Sequence, residues 1–277
     1  DGDEVIIPAP YWLSYPQMVK LAGGKPVFVN SSAEDGFKIN IQDLKAKISS
    51  KTKFIILNTP NNPTGRVMSK EELLQIAELV RENKNINILS DEIYELIINK
   101  EFKHFSLSKL ATDLKEKIFI INGFAKGWAM TGWRIGYLVG PKDIIKATSA
   151  LQSQSTSNVC SFVQKGALEA LKVNHEYFEK INNHYDQRRE VLYQGLKNIK
   201  GVFIHKPIGA FYAFPRLPDS SITSVDFCKR ILNDYGLVLI PGKVFGEDQC
   251  FRISCANSKE KIIDGLTRLQ NAITNYY

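Results

Sequence analysis

The 277-residue sequence has no apolar run approaching the roughly 18 residues that a membrane-spanning helix needs, which argues against a bilayer as its partner. Cysteine is scarce. Cys160, Cys228, Cys250 and Cys255 form no C-x-x-C pair, and the nearest two, five residues apart, flank an apolar run. The histidines His104, His175, His184 and His205 are scattered, without an H-E-x-x-H pattern. Structural zinc and dithiol redox chemistry are therefore not expected, and no metal ligand is assigned; each histidine reads as a surface residue. Reduced thiols fit a cytoplasmic protein. The sequence also lacks any block of five like charges: Lys70-Glu71-Glu72 and Arg188-Arg189-Glu190 are typical. The net charge of +7 thus reads as a solvated, mildly basic surface, with no nucleic-acid partner. Internal repeats and low-complexity tracts are absent too. Asp1-Gly2-Asp3-Glu4 does not read as a signal peptide, and a chain opening on Asp, almost directly on a strand, is expected to be a fragment.

What is present is an ordinary globular composition, 44% apolar and 23% charged, long enough for one large domain or two unequal ones. Short, nearly all-apolar runs recur at 5–7, 26–29, 54–57, 86–89, 118–121 and 134–139. Runs without polar alternation are expected for strands buried on both faces of a mostly parallel sheet. Residues 15–22 and 69–83 read as helices between them; Ser69 and Glu72 have the spacing of a capping box. From 142 to about 200 the pattern is helical. Beyond that, short strands at 202–204, 210–214, 237–240 and 251–254 surround a helix at 225–235, and 259–275 reads as a closing amphipathic helix. The fold class is α/β: a mostly parallel sheet flanked by helices over residues 1–180, followed by a smaller α+β domain over 181–277.

Ligands bind outside the carboxyl ends of the strands in open parallel sheets. Leu57 is followed by N-T-P-N-N-P-T-G (58–65), Leu89 by S-D-E-I-Y-E (90–95), and Ile121 by N-G-F-A-K (122–126). Successive strand ends deliver an amide, a carboxylate with a phenol, and an amine, and Arg134 follows eight residues after Lys126. Each piece alone has a plain reading. N-N-P-T-G is a turn, Asp91 a helix N-cap, and Lys126 a surface lysine; the joint order is what points to chemistry.

In that order the chain resembles the class I/II aminotransferases of fold-type I, which use pyridoxal 5′-phosphate, and within them the bacterial aspartate aminotransferases. The resemblance rests on P-Y-W-L-S-Y-P (10–16), N-T-P-N-N-P-T-G (58–65), S-D-E-I-Y-E (90–95), A-K-G-W-A-M-T-G-W-R-I-G-Y (125–137) and F-R-I-S-C-A (251–256). It implies a ping-pong Schiff-base mechanism that moves an amino group between aspartate and 2-oxoglutarate. Lys126 is implied to carry the cofactor and Asp91 to pair with its ring nitrogen. Tyr94 and Asn62 are implied at the ring's phenolic oxygen, Arg134 at the phosphate, Arg252 at the substrate α-carboxylate, and Trp12 on the ring face, with Asn62 and Trp12 also implied in substrate binding. Trp12 also reads as core packing and Asn62 as a turn residue. Asn62–Pro63 is a candidate cis peptide. The rivals on the same scaffold are aromatic, alanine or prephenate transamination and carbon–sulfur lysis; outside it stands a non-catalytic binding module.

The sequence departs from the family in two ways. Ala125 stands where relatives commonly carry serine. The Gly-rich turn and helix N-terminus that usually cradle the phosphate, and a tyrosine that reaches a neighbouring subunit's cofactor, belong before the strand at Val5. The expectation is weak or no cofactor binding by these residues alone and full binding, as a homodimer, by the complete gene product.

Overall fold

A computed structural model describes residues 2–218 and 221–276. The chain starts with β1 (Glu4–Pro8), α1 (Ser14–Leu21), β2 (Lys25–Val29), α2 (Ile41–Ala46) and β3 (Thr52–Asn58). It continues with α3 (Lys70–Glu82), β4 (Asn87–Asp91), α4 (Leu107–Leu110), β5 (Ile118–Gly123) and β6 (Gly136–Val139). These strands make one six-stranded sheet in the order β2-β1-β3-β4-β5-β6, parallel throughout except for β6, which runs antiparallel to β5. The apolar runs read as doubly buried strands are buried: Ile6, Ile7, Ile55 and Ile88 are sealed from solvent. Leu73, Ile76, Ala77 and Val80 of α3 pack on that sheet in the same core. The capping box that starts α3 is formed, Ser69 accepting from the Glu72 N–H and Glu72 accepting from the Ser69 N–H. Removing such a cap costs about 1 kcal/mol.

Three helices follow: α5 (Lys142–Ser153), α6 (Ser161–Ala170) and the long α7 (His175–Lys197). Then come β7 (Tyr212–Ala213), α8 (Ser224–Tyr235), β8 (Ile240–Pro241), β9 (Phe251–Ser254) and α9 (Lys259–Tyr276). The three short strands form an antiparallel sheet in the order β7-β9-β8. Leu192 and Leu196 of α7, Phe227 and Ile231 of α8, Phe251 of β9 and Leu269 of α9 share a second core. A smaller cluster joins Ala33 and Phe37, just after β2, to Phe214, Phe245 and Cys250. No helix among the described residues is long and apolar enough to cross a membrane.

The elements depart from the sequence expectations where backbone conformation intervenes. The run at 134–139 pairs only from Gly136, because Arg134 lies in the left-handed region at φ +53°. The helical stretch from 142 is broken near Ser157, which has φ +59°. Residues 202–204 contribute a single bridge from Phe203 to Arg216. The strand expected at 210–214 shrinks to two residues after Ala210 turns at φ +52°. The short α2 went unread; the Asn40 side chain starts it by accepting from the N–H groups of Gln42 and Asp43.

Candidate active site

The parallel register sets the carboxyl ends of β3, β4 and β5 side by side, with Asn58 opposite Asp91 and Asp91 opposite Ile121. Beyond those ends lies a cleft of about 570 Å³. Lys126, Asp91, Tyr94, Asn62, Arg134, Trp12 and Arg252 all line it. The structure therefore brings together every residue the motifs singled out. Arg252 arrives from the small sheet on β9 and donates from Nη1 to the Asn62 side-chain oxygen at 2.8 Å. That bond links two residues 190 positions apart and ties the small sheet to the turn after β3. The Asn62–Pro63 bond is cis, as are Ala9–Pro10 and Thr59–Pro60.

Each ionisable group has a distinct environment. The Lys126 amine is half-buried, 5.8 Å from the ring centroids of both Tyr94 and Phe211. Desolvation, then the positive charges of Arg134 and Arg252, push its pKa below the usual lysine range, while Asp91 pulls the other way. An amine so placed reaches its free-base form at lower pH than a surface lysine. Asp91 is buried, and burial raises its pKa. The Tyr15 hydroxyl donates to its Oδ2 at 2.5 Å and the Ile93 N–H to its Oδ1 at 3.2 Å, both favouring the anion. A carboxylate held this way still lacks a full counter-charge, so the site favours a cationic partner.

The Tyr94 phenol is buried and its pKa is raised, first by desolvation, so it stays protonated and able to donate. Its oxygen lies 3.1 Å from that of Tyr212. The Arg252 guanidinium sits 4.4 Å from the Tyr212 ring centroid and 4.9 Å from that of Phe245. Burial works against its charge, a cost that an incoming carboxylate would offset. Arg134 is exposed, and its Nη1 donates to the Thr131 carbonyl at 3.0 Å. A left-handed backbone on a residue other than glycine is costly, and such strain clusters at functional sites.

Several further residues belong to the site without a motif of their own. Tyr15 reads from the sequence as the start of a helix; the structure places it in the first turn of α1, with its N–H donating to the carbonyl of Trp12, which precedes that helix. Tyr212 was read as an ordinary strand residue. Asn58 was grouped with its turn, yet its amide donates to the Asp91 carbonyl and its side-chain oxygen accepts from the Asn62 N–H. His104 is not the surface residue that the sequence suggests. Its side chain is only 9% exposed and its Nε2 lies 3.2 Å from Glu92, because Glu92, buried behind Asp91, accepts from Ser90 and Ser106 and needs a further polar neighbour. The other three histidines are exposed, as expected.

A mostly parallel α/β sheet whose strand ends gather an amine, a buried carboxylate and a guanidinium from a second, small sheet is the architecture of the fold-type I transferases. Residues 1–269 match the family described as aminotransferase class I and II, and the chain belongs to that family. It is 42% identical to a probable aspartate/prephenate aminotransferase of Rickettsia felis, over 98% of this chain and 69% of that protein. Among solved structures it superposes on the aspartate aminotransferase of Rhizobium meliloti with a TM-score of 0.94 at 35% identity, covering 99% of this chain and 71% of the other. The aromatic aminotransferase of Pyrococcus horikoshii gives the same TM-score at 37% identity, covering 100% and 74%.

Proposed function

We propose that the protein is a pyridoxal 5′-phosphate-dependent aminotransferase that moves an amino group from aspartate to 2-oxoglutarate. The observation that carries this reading is the convergence of Lys126, Asp91, Tyr94, Asn62, Arg134, Trp12 and Arg252 on one cleft. The donor set fits the cofactor. Asp91 is a buried anion suited to a protonated ring nitrogen, and Tyr94 and Asn62 offer polar groups for the ring's phenolic oxygen. Arg134 offers a cation for the phosphate, and Trp12 a flat wall for the ring. When bound, pyridoxal 5′-phosphate supplies an aldehyde for amine exchange and a ring that withdraws electrons from the reacting carbon.

The chain's own residues account for the rest. The lowered pKa of Lys126 lets Nζ act as a nucleophile when it holds the cofactor and, once displaced, accept the proton from the substrate Cα. Arg252 presents a planar fork to the α-carboxylate, and its bond to Asn62 fixes the fork's orientation. Asp91 keeps its negative charge at the bottom of the cleft with the help of Tyr15. The domain reading places the division within α7, since residues 180 and 181 both lie on that helix. The homodimer reading finds support in exposed apolar residues on α5 and α6, with Leu151 at 73% and Phe162 at 71% exposure, a surface suited to a second subunit. The cytoplasmic setting rests on the cysteine pattern, four scattered residues of which three are buried one by one in the cores.

The substrate is tested by comparing kcat/KM of the full gene product for aspartate, alanine, phenylalanine, prephenate and cystathionine. Aspartate is expected to lead by about tenfold or more, the ratio that about 1.4 kcal/mol of differential transition-state binding provides. A higher value with any of the others overturns the aspartate assignment. Loss of all of them, with no cofactor bound, overturns the enzyme reading.

A further inference from the structure

Tyr212 lies on β7 of the small sheet, is 8% exposed, and touches two groups with different tasks in the cleft. Its ring lies under the Arg252 guanidinium, 4.4 Å from centroid to Cζ, while Phe245 packs the same guanidinium at 4.9 Å. Its hydroxyl meets the Tyr94 hydroxyl at 3.1 Å, and the two rings stand edge to face at 80°. Strand pairing fixes the position: Tyr212 sits opposite Ser254 and Ala213 opposite Ile253, so β7 runs beside the strand that carries Arg252.

We propose that Tyr212 is a positioning residue that joins the carboxylate-binding arginine to the phenol facing the cofactor's ring oxygen, acting on the first through its ring and on the second through its hydroxyl. The proposal rests on the roles given above to Arg252 and Tyr94. The direction of the hydroxyl pair follows from proton count. Each phenol has one proton to donate. When Tyr94 spends its proton on an anionic oxygen of the ligand, its own oxygen can only accept, so Tyr212 must donate to it. A donor on the Tyr94 oxygen polarises the Tyr94 O–H and strengthens the bond that Tyr94 makes onward. On the other side, two aromatic faces hold the guanidinium in one plane without spending any of its N–H groups. Those groups remain for Asn62 and for the substrate.

Ring and hydroxyl can be separated experimentally. In the cofactor-loaded full gene product, Tyr212→Phe keeps the ring and deletes the hydroxyl, whereas Tyr212→Leu deletes both. Two readouts are followed besides turnover: the pH midpoint of the bound cofactor's visible band, and the Kd of the unreactive dicarboxylate maleate. Tyr212→Phe is expected to move the midpoint upward, because a weaker Tyr94 bond stabilises the ring-oxygen anion less, and to leave the maleate Kd within about twofold. Tyr212→Leu is expected to move the midpoint likewise and to raise the maleate Kd by about tenfold, the scale of a desolvated cation–π contact. A midpoint unmoved in Tyr212→Phe, or a maleate Kd equal in the phenylalanine and leucine variants, overturns the proposal. Should Tyr212→Leu not fold, Tyr212→Met takes its place under the same criteria. Arg252→Lys and Tyr94→Phe serve as references. If Arg252→Lys leaves maleate binding intact, or Tyr94→Phe leaves the midpoint in place, the underlying site reading has failed and Tyr212's role falls with it. If both references respond and the Tyr212 variants do not, only the Tyr212 proposal is lost.

Discussion

The two sides of the cleft are built differently. On the side formed by the ends of β3 and β4, Asp91 is held by Tyr15 and the Ile93 N–H, and its carbonyl is tied to Asn58; Ile56, Leu57 and Ser90 beneath it are buried. On the side formed by β6 and its approach, Trp133, Tyr137 and Val139 are 44%, 43% and 51% exposed, and Arg134 is bonded to the Thr131 carbonyl of its own turn. One side has its geometry fixed by groups the chain itself supplies. The other presents a charge on a strained backbone that is open to solvent. Groups on the first side are set by direct contacts, whereas the charge of Arg134 reaches Lys126, which lies between the two sides, without a hydrogen bond and works with desolvation to lower its pKa.

Substituting Lys126 takes away what the two sides share, and it carries the largest expected effect. In the proposed mechanism Lys126→Ala removes both nucleophile and base, so steady-state transamination should fall by about 10³-fold or more. The tertiary structure, followed by near-ultraviolet circular dichroism, should persist because the side chain is only half-buried. An alanine variant with more than a tenth of the parent rate breaks the assignment.

Asp91→Asn probes the closed side alone and separates function from stability. Burial raises the Asp91 pKa in the folded chain, so ionisation there favours the unfolded state. Stability from this group is fully present below the unfolded carboxylate pKa and is lost as pH rises through the folded value. An asparagine carries no charge, so at pH 7 the cofactor-free variant should melt higher, by about 2–4 °C for each 1 kcal/mol recovered. Its melting temperature should also lose that part of the acid-range slope. Activity should fall by about 10²–10³-fold, as when one preorganised electrostatic partner is removed. Thermal melts from pH 4 to 8, set beside kinetics, check both signs; a lower melting temperature contradicts the buried-anion account.

The same contrast explains how far the sequence could be read. Helices α3 and α5 carry similar apolar spacing, yet α3 buries Leu73, Ile76, Ala77, Leu79 and Val80 while α5 buries none of its residues. Periodicity states that a face exists and is silent on what covers it. The parallel strands were legible because double burial leaves uninterrupted β-branched runs, and the cleft was legible because parallel strands release their polar residues at one end. The cis bond at Asn62–Pro63 was legible from its turn motif. The partners of those residues were not. Tyr15 lies 76 positions from Asp91, and Tyr212 lies 118 from Tyr94, so only folding reveals that they touch. Arg134 was read as a strand residue because its positive φ leaves no trace in composition.

The smallest expected effect belongs to the open side, and it tests whether Arg134 acts on Lys126 through space. Desolvation lowers the Lys126 pKa first, then Arg134 and Arg252. Replacing Arg134 with glutamine deletes one of those positive charges while desolvation and Arg252 remain. The Lys126 pKa should therefore rise while staying below the ordinary lysine value. In the cofactor-free protein this is read as the pH midpoint for modification of Lys126 by an amine-reactive reagent, quantified by peptide mass spectrometry. Because Arg134 is exposed, salt should screen its effect. Raising ionic strength in the parent should move the midpoint in the same direction as the substitution, and should move it less in Arg134→Gln. A midpoint that ignores both the substitution and the salt would mean that burial alone sets the amine's acidity, and that the open side of the cleft contributes nothing until a ligand anion is bound.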